Sequence, residues 1–379
     1  MAVYLNTNKN LENYKELYNE EYFVDKSKII SLINKKINTK SKYLCITRPR
    51  RFGKSSIANM LGAYYSKAVD SKDIFDNLDV SNCESYKENL NKYNVITISF
   101  TDVNNNCKNC DEYIDRIIQL LIQDLKEVFP NIKIKPNYAI WDILNELNEK
   151  FIFIFDEWDY IFNRNLYLEE QDKFLEFLMK LLKDKSYVAL CYMTGILPIK
   201  KYSTGSALNM FDEYTFLKDR IFDEYFGFTS EEVISLCEKN DEIKFSELEN
   251  WYNGYLTIKG KKVYNPRSVV KALQNKHCES YWTNTGAMDE VAEYLKYNTM
   301  EIREDVIEMV SGGEIDIIIN EEFRAGQEAP KTKKEIYSAM IILEFLSYHD
   351  GYLKIPNKEL MLEFEKALAD ESFGYKKER

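Results

Sequence analysis

Histidine is nearly missing from this chain: of 379 residues, only His277 and His349 carry an imidazole. Seven cysteines are scattered along it, and only Cys107 and Cys110 stand close together. So few nitrogen ligands, with no second cysteine pair, argue against a structural zinc site. The N-terminus, MAVYLNTNKNLENYKELYNE, has neither the positive head nor the apolar core of a signal peptide. With an odd number of cysteines, this points to reduced thiols in a cytoplasm. Long apolar runs are missing too. None approaches the roughly 18 residues of a membrane span, so no membrane partner is expected. Positive charge is in deficit, 51 Lys and Arg against 62 Asp and Glu, leaving a net charge of −11. Adhesion to nucleic acid through bulk charge is therefore not the default.

What remains is the composition of a globular protein, 45% hydrophobic and 30% charged, in a chain long enough for two or three domains. Its organising stretch is residues 43–66, YLCITRPRRFGKSSIANMLGAYYS. Tyr43 to Thr47 reads as a buried strand, and Ser55 to Tyr65 as a helix. Between them lies Gly53-Lys54-Ser55, giving the strand, tight turn and helix N-terminus of a phosphate-binding loop. The loop amides and the helix start attract phosphate oxygens, so Arg50, Arg51, Phe52, Gly53, Lys54, Ser55 and Ser56 are the candidate cradle. Lys54 would reach the β and γ phosphates, and the Ser55 hydroxyl would hold Mg²⁺. The usual pattern begins with a glycine five residues before Gly53, where this chain has Arg48 followed by Pro49, which has no N–H to offer. The basic cluster Lys40, Lys42, Arg48, Arg50, Arg51 and Lys54 would also serve a neighbouring subunit or a nucleic acid.

Along the chain, residues 1–20 are polar and read as a surface segment. Tyr22 to Ser27 then leads into a helix carrying Ile29, Ile30, Ile33 and Ile37, which Asp25 is placed to cap. Asn94 to Phe100 reads as a second buried strand. Helices are expected over 111–129 and 138–148. Phe151-Ile152-Phe153-Ile154-Phe155 is a third strand, buried on both faces, and it ends in Asp156-Glu157. Two carboxylates at the end of such a strand need a reason, since bare charge near a core is costly. A metal ion supplies one: Asp156 would complete the Mg²⁺ shell begun by Ser55, and Glu157 would polarise the water attacking the γ-phosphate. An exposed strand end with Asp156 capping the next helix is the alternative. After a helix over 169–183 comes a fourth strand, Tyr187 to Met193, with Thr194-Gly195 at its end. Thr194 is a candidate reporter of hydrolysis or, equally, a hydroxyl satisfied by its own turn. Tyr214 to Leu217 reads as a last short strand.

Alternating strands and helices imply a parallel α/β sheet whose ligands lie beyond the strand carboxyl ends, where all these candidates fall. Past Gly227 the pattern changes. Thr229 and Glu232 form a capping box, a hairpin-like segment starts at Trp251, and Pro266 opens another helix. Glu314 to Asn320 is strand-like, a long helix is expected over 333–348, and Tyr352 to Ile355 precedes a last helix headed by Pro356 and Asn357. The division expected is a core over 14–226, a helical lid with a small hairpin over 227–286, and a helical, winged-helix-like region over 287–379. That last region is suited to packing, or to a DNA or protein partner.

The motifs YFVDKS (22–27), TRPRRFGKS (47–55), FIFDEWD (153–159), TGI (194–196), EYFGFTSEEV (224–233), WYNGY (251–255), VYNPRSVV (263–270), YWTNTG (281–286) and LKIPNKEL (353–360) together resemble the predicted AAA-type ATPase-like proteins of bacteria and archaea. These are P-loop proteins, often fused to a nuclease-like domain of the PD-(D/E)xK type. The resemblance spans about residues 14–365. It implies an ASCE/AAA-like core, ATP with Mg²⁺, and a family phosphate loop that itself lacks the first glycine. By position, Lys54 and Ser55 match the phosphate-loop residues, and Asp156 and Glu157 match the metal-binding and water-activating carboxylates. Trp158 stands where the family usually has Tyr. No Asp on one strand followed by Glu-x-Lys on the next occurs, so no nuclease activity is expected of this chain.

ATP hydrolysis driving a conformational change is the expectation, with Arg50, Arg51 or Arg220 as candidates for an arginine that stabilises the transferred phosphoryl group. For Arg220 the alternative is a salt bridge to Asp219 or Asp223. Tyr22 or Phe23 would line a base pocket or pack in the core. Two other readings stay open: a slowly hydrolysing regulatory switch, and a DNA-binding or scaffold protein without turnover. The sequence leaves homo-oligomerisation open and, apart from the resemblance, does not separate ATP from GTP.

Overall fold

A computed structural model describes residues 2–103, 106–199, 208–239, 242–281, 301–319, 330, 332–343 and 345–369. The Trp282–Gly286 part of the YWTNTG motif and the 286 boundary lie outside them. The chain forms two compact units. One comprises residues 1–47 and 54–214; the other comprises 48–53 and 215–379.

The first unit is built on a five-stranded sheet: β1 (Tyr43–Thr47), β2 (Asn94–Ser99), β3 (Phe151–Asp156), β4 (Val188–Gly195) and β5 (Asp212–Tyr214). Their order is β2-β3-β4-β1-β5, all parallel. The apolar stretches of β1, β3 and β4 are buried along their whole length. That is why they read as unbroken hydrophobic runs rather than alternating ones. Placing β4 between β1 and β3 is the ASCE arrangement, and the fold is α/β with a P-loop NTPase core. Because the strands are parallel, their carboxyl ends share one edge. Register sets Asp156 opposite Ser99, and Thr194 opposite Ile46.

Helix α1 (Lys9–Tyr18) packs on α2 (Lys54–Tyr65), which follows β1. The N-terminal segment is therefore not a surface strip: Tyr4, Leu5, Leu11 and Tyr14 are buried. The reason is a carboxylate far away in the chain. Asp124, 1% exposed on α3 (Cys110–Val128), accepts the amides of Val3, Tyr4 and Leu5 at 2.6–3.0 Å, and Leu5 bridges to Ile96 of β2. Asp25 does not cap the 29–34 helix, which has no side-chain cap; its carboxylate accepts the amides of Ser27 and Asp79, each at 2.7 Å.

The second unit holds two small antiparallel sheets. One joins β6 (Phe228–Thr229), β8 (Lys262–Tyr264) and β7 (Tyr255–Leu256). The capping box of Thr229 and Glu232 is formed on α4 (Ser230–Cys237), and Asn265 caps α5 (Pro266–Asn275). The other sheet joins β10 (Ser347–His349), β11 (Tyr352–Lys354) and β9 (Ile315–Asp316). It alternates with α6 (Glu301–Val310) and α7 (Lys333–Ile342) and is followed by α8 (Lys358–Ala369). Among the described residues of this region, a helix, a strand, a helix and a hairpin follow one another. The helix expected over 333–348 is shorter than predicted, because Ser347 to His349 pairs with β11.

Candidate nucleotide site

β1 enters a tight loop over residues 48–53, and the chain leaves it directly into α2. Arg51 and Gly53 have φ of 68° and 84°. At Gly53 a Cβ would meet nothing within 4 Å, so backbone conformation rather than crowding calls for glycine. Left-handed residues in a tight loop are the ingredient of backbone nests that hold anions.

In the first unit, Lys54 opens α2 and is 7% exposed. Its charge acts on both Asp156 and Asp159, favouring their ionised forms. Asp156 ends β3, where its carboxylate is hydrogen-bonded to the Ser55 side chain and accepts the Glu157 amide at 3.0 Å. Burial nonetheless holds the Asp156 pKa above the ordinary Asp value; the Ser55 bond, the Lys54 charge and the Glu157 amide offset it only partly. A hydroxyl and a carboxylate are hard oxygen donors and fit Mg²⁺. No cluster of three or more His, Cys, Asp or Glu side chains placed for a metal occurs among the described residues. A Mg²⁺ ion that takes one or two protein ligands, with phosphate and water as the rest, needs none.

Glu157 has φ 49°, a left-handed conformation that costs a non-glycine residue about 1 kcal/mol. The next two residues hold this turn to the end of β4. The Trp158 amide donates to the Thr194 carbonyl at 3.2 Å. Asp159, 1% exposed, accepts the amides of Ile196 and Leu197 at 2.9 and 2.7 Å and the Asn163 side-chain amide at 3.1 Å. Burial pushes the Asp159 pKa up against those bonds and the Lys54 charge. Gly195 leaves room for it: a Cβ there would lie 2.3 Å from Asp159 Oδ1. Sequence reasoning missed Asp159. Its only signal was a third acidic residue within Asp156-Glu157-Trp158-Asp159.

Thr194 lies inside β4 rather than beyond it, since the ladder with β1 continues to Thr47 and Gly195. Its hydroxyl, fully buried, donates to the Ile46 carbonyl at 2.8 Å. Phe23 packs against Tyr14 and Tyr18, with ring centroids 6.4 and 5.3 Å away, and Tyr22 is 6% exposed. Ser56 is half-buried on α2.

In the second unit, Arg50 and Arg51 are half-buried, whereas Arg48 and Phe52 are buried. Arg220 is exposed. The partners offered for it from the sequence are engaged elsewhere: Asp219 pairs with Arg48, and Asp223 with Lys259 at 3.2 Å.

A family model described as predicted AAA-ATPase matches residues 10–204, just over half of the chain. The chain belongs to this family. An uncharacterized protein in the vnfD 5′ region of Azotobacter chroococcum mcd 1 is 24% identical over 277 residues. That match covers 70% of this chain and 51% of the relative, so the chain spans about half the length of that curated relative. Among solved structures, the Walker-type ATPase PABY2304 of Pyrococcus abyssi is similar, with a TM-score of 0.50 and 12% identity over 92% of this chain and 99% of that one. The ORC2 protein of Aeropyrum pernix, in ADPNP–ADP complexes, matches at a TM-score of 0.38 and 12% identity, over 94% and 98% of the two chains. At 12% identity the likeness to PABY2304 speaks for the fold alone. No helix among the described residues is long and apolar enough to cross a membrane.

Proposed function

We propose that this AAA-ATPase family member binds ATP with Mg²⁺, hydrolyses it, and uses the reaction to change conformation. The observation that carries this reading is the grouping of Lys54, Ser55 and Asp156, with the Ser55–Asp156 hydrogen bond and the Lys54 charge meeting at a buried strand end. Lys54 and the amides from Arg50 to Ser56 take the phosphate oxygens. Ser55 and Asp156 hold the Mg²⁺, which when bound neutralises charge on the β and γ phosphates. Glu157, in a left-handed backbone conformation at the end of β3, accepts the proton of the attacking water. Such an outlier at a strand end is where stored strain serves function. Arg220, with its side chain in solvent, is available to a phosphoryl group from the same or another copy. Thr194 reports through its bond to β1 rather than as a free hydroxyl. Tyr22 and Phe23 serve packing before any base pocket. A soluble, cytoplasmic setting and a DNA or protein partner for the C-terminal region belong to the same proposal.

Phosphate release and nucleotide affinity measured together test it. Lys54→Ala is expected to weaken ATP binding at least tenfold, a loss of about 1.4 kcal/mol. Glu157→Gln is expected to keep binding and lower turnover by a factor of about 10² to 10⁴, the usual contribution of a general base. Unaltered turnover in both variants rejects the assignment.

A further inference from the structure

Arg48 stands where the usual phosphate-loop pattern has its first glycine, and its side chain turns into the protein. It is 2% exposed. Its guanidinium pairs with Asp219, whose side chain has no exposure, and lies 4.8 Å from the centroid of the Phe226 ring. Asp219 is itself fixed, because its other oxygen accepts the amides of Ile221 and Phe222 at 2.7 and 2.9 Å. At the far end of the loop, Phe52 is 1% exposed and meets Phe216 and Tyr255 edge-on, with centroids 6.3 and 5.5 Å away. Its carbonyl accepts the Gly227 amide at 3.1 Å. Gly227 has φ 82°, and a Cβ there would crowd the Phe52 ring at 3.1 Å. Both ends of residues 48–52 are thus fastened to residues 216–255, while the half-buried Arg50 and Arg51 lie between the fastenings. The grouping of 48–53 with 215–379, apart from its own flanking strand and helix, follows from these contacts.

We propose that Arg48 and Asp219, with Phe52 and Gly227, form a positioning clamp that ties nucleotide occupancy of the phosphate loop to the C-terminal unit. The proposal rests on the ATP reading and adds to it the route by which occupancy is felt. A loop held at two points cannot reorder around a triphosphate without loading Asp219 and Gly227. By linkage, the factor by which nucleotide favours one state of those residues is the factor by which that state favours nucleotide. A buried pair of this kind is costly to break from one side, since the remaining charge is stranded.

The test is amide hydrogen exchange of the full chain, nucleotide-free and with saturating ADP or a non-hydrolysable ATP analogue, read at Ile221, Phe222 and Gly227. Nucleotide is expected to slow exchange there at least fivefold. Arg48→Lys keeps the charge but loses the planar fork. It is expected to weaken nucleotide affinity roughly tenfold, within the range of coupling between linked sites, and to abolish the nucleotide-dependent slowing. Asp219→Asn serves as a second variant where it folds. Nucleotide binding with unchanged exchange at all three amides overturns the clamp and leaves the ATP reading intact. Equal affinity and equal slowing in Arg48→Lys also overturn it. Failure of the unaltered protein to bind either nucleotide removes the ATP reading itself, and the clamp with it.

Discussion

Asp156 is under two opposed demands. Its place at the end of a buried strand favours the protonated form, whereas holding Mg²⁺ requires the carboxylate. Its pKa is raised in the folded protein, so between the ordinary Asp value and the raised one the folded state binds more protons than the unfolded chain. Stability contributed by this group is therefore greatest at low pH and is lost as pH rises through the raised value. Cation binding should run the other way, strengthening across the same window as the proton leaves. Asp156→Asn is accordingly expected to raise the thermal midpoint of the nucleotide-free protein at neutral pH and to remove the Mg²⁺ dependence of nucleotide binding. Calorimetry with and without Mg²⁺ checks both, and a lowered midpoint in the variant contradicts the burial argument. Asp159 carries the same burial cost, but its partners are three N–H groups of the protein, so its role is to hold backbone.

At the scale of elements, the turn that presents Glu157 is only as well placed as its attachment to β4. That attachment consists of the Trp158 amide on Thr194 and the Asp159 carboxylate on Ile196 and Leu197, packed over a residue without a side chain. Gly195→Ala puts a methyl group 2.3 Å from Asp159 Oδ1 and 2.7 Å from the Trp158 ring, so the turn must move. Misplacement by about 1 Å costs on the order of 10²-fold in rate. The variant is therefore expected to bind nucleotide within about threefold of the unaltered protein and to lose most of its phosphate release. Unchanged single-turnover kinetics would show that the turn is not held this way. The strands themselves were legible because β1, β3 and β4 are buried on both faces and read as unbroken apolar runs. The extension of β4 through Thr194 and Gly195 was not, because glycine ordinarily weakens a strand, and only the partner register with Thr47 keeps it paired. The burial of Tyr4, Leu5, Leu11 and Tyr14 was equally hidden: the segment is polar on average, and the carboxylate that gathers the amides of Val3, Tyr4 and Leu5 is 119 or more residues away.

At the scale of the whole molecule, the motifs of the C-terminal half acquire a reason that spacing could not supply. Glu359, 2% exposed, accepts the Ser268 hydroxyl at 2.9 and 3.1 Å and the Tyr281 amide at 2.7 Å. Gly254 has φ 121°, and a Cβ on it would fall 1.6 Å from the Pro356 carbonyl oxygen. Four of the segments that carried the family resemblance therefore converge on one buried carboxylate and one close backbone approach, a packing role rather than a chemical one. Glu359→Gln replaces an acceptor with a donor facing donors, at a cost of about 2 kcal/mol, the usual range for a hydrogen bond to a charged group. In the first unit, Asp124→Asn should cost a similar amount by releasing the amides of Val3, Tyr4 and Leu5. If the two units are separate cooperative blocks, each loss stays within its own block. Glu359→Gln is expected to speed amide exchange in α5 and at Gly227 while sparing α3, and Asp124→Asn to do the reverse. Uniform acceleration in both variants would mean that the protein unfolds as one. In the expected case, the phosphate loop loosens with the C-terminal unit, since the amide bonded to Phe52 belongs to that block.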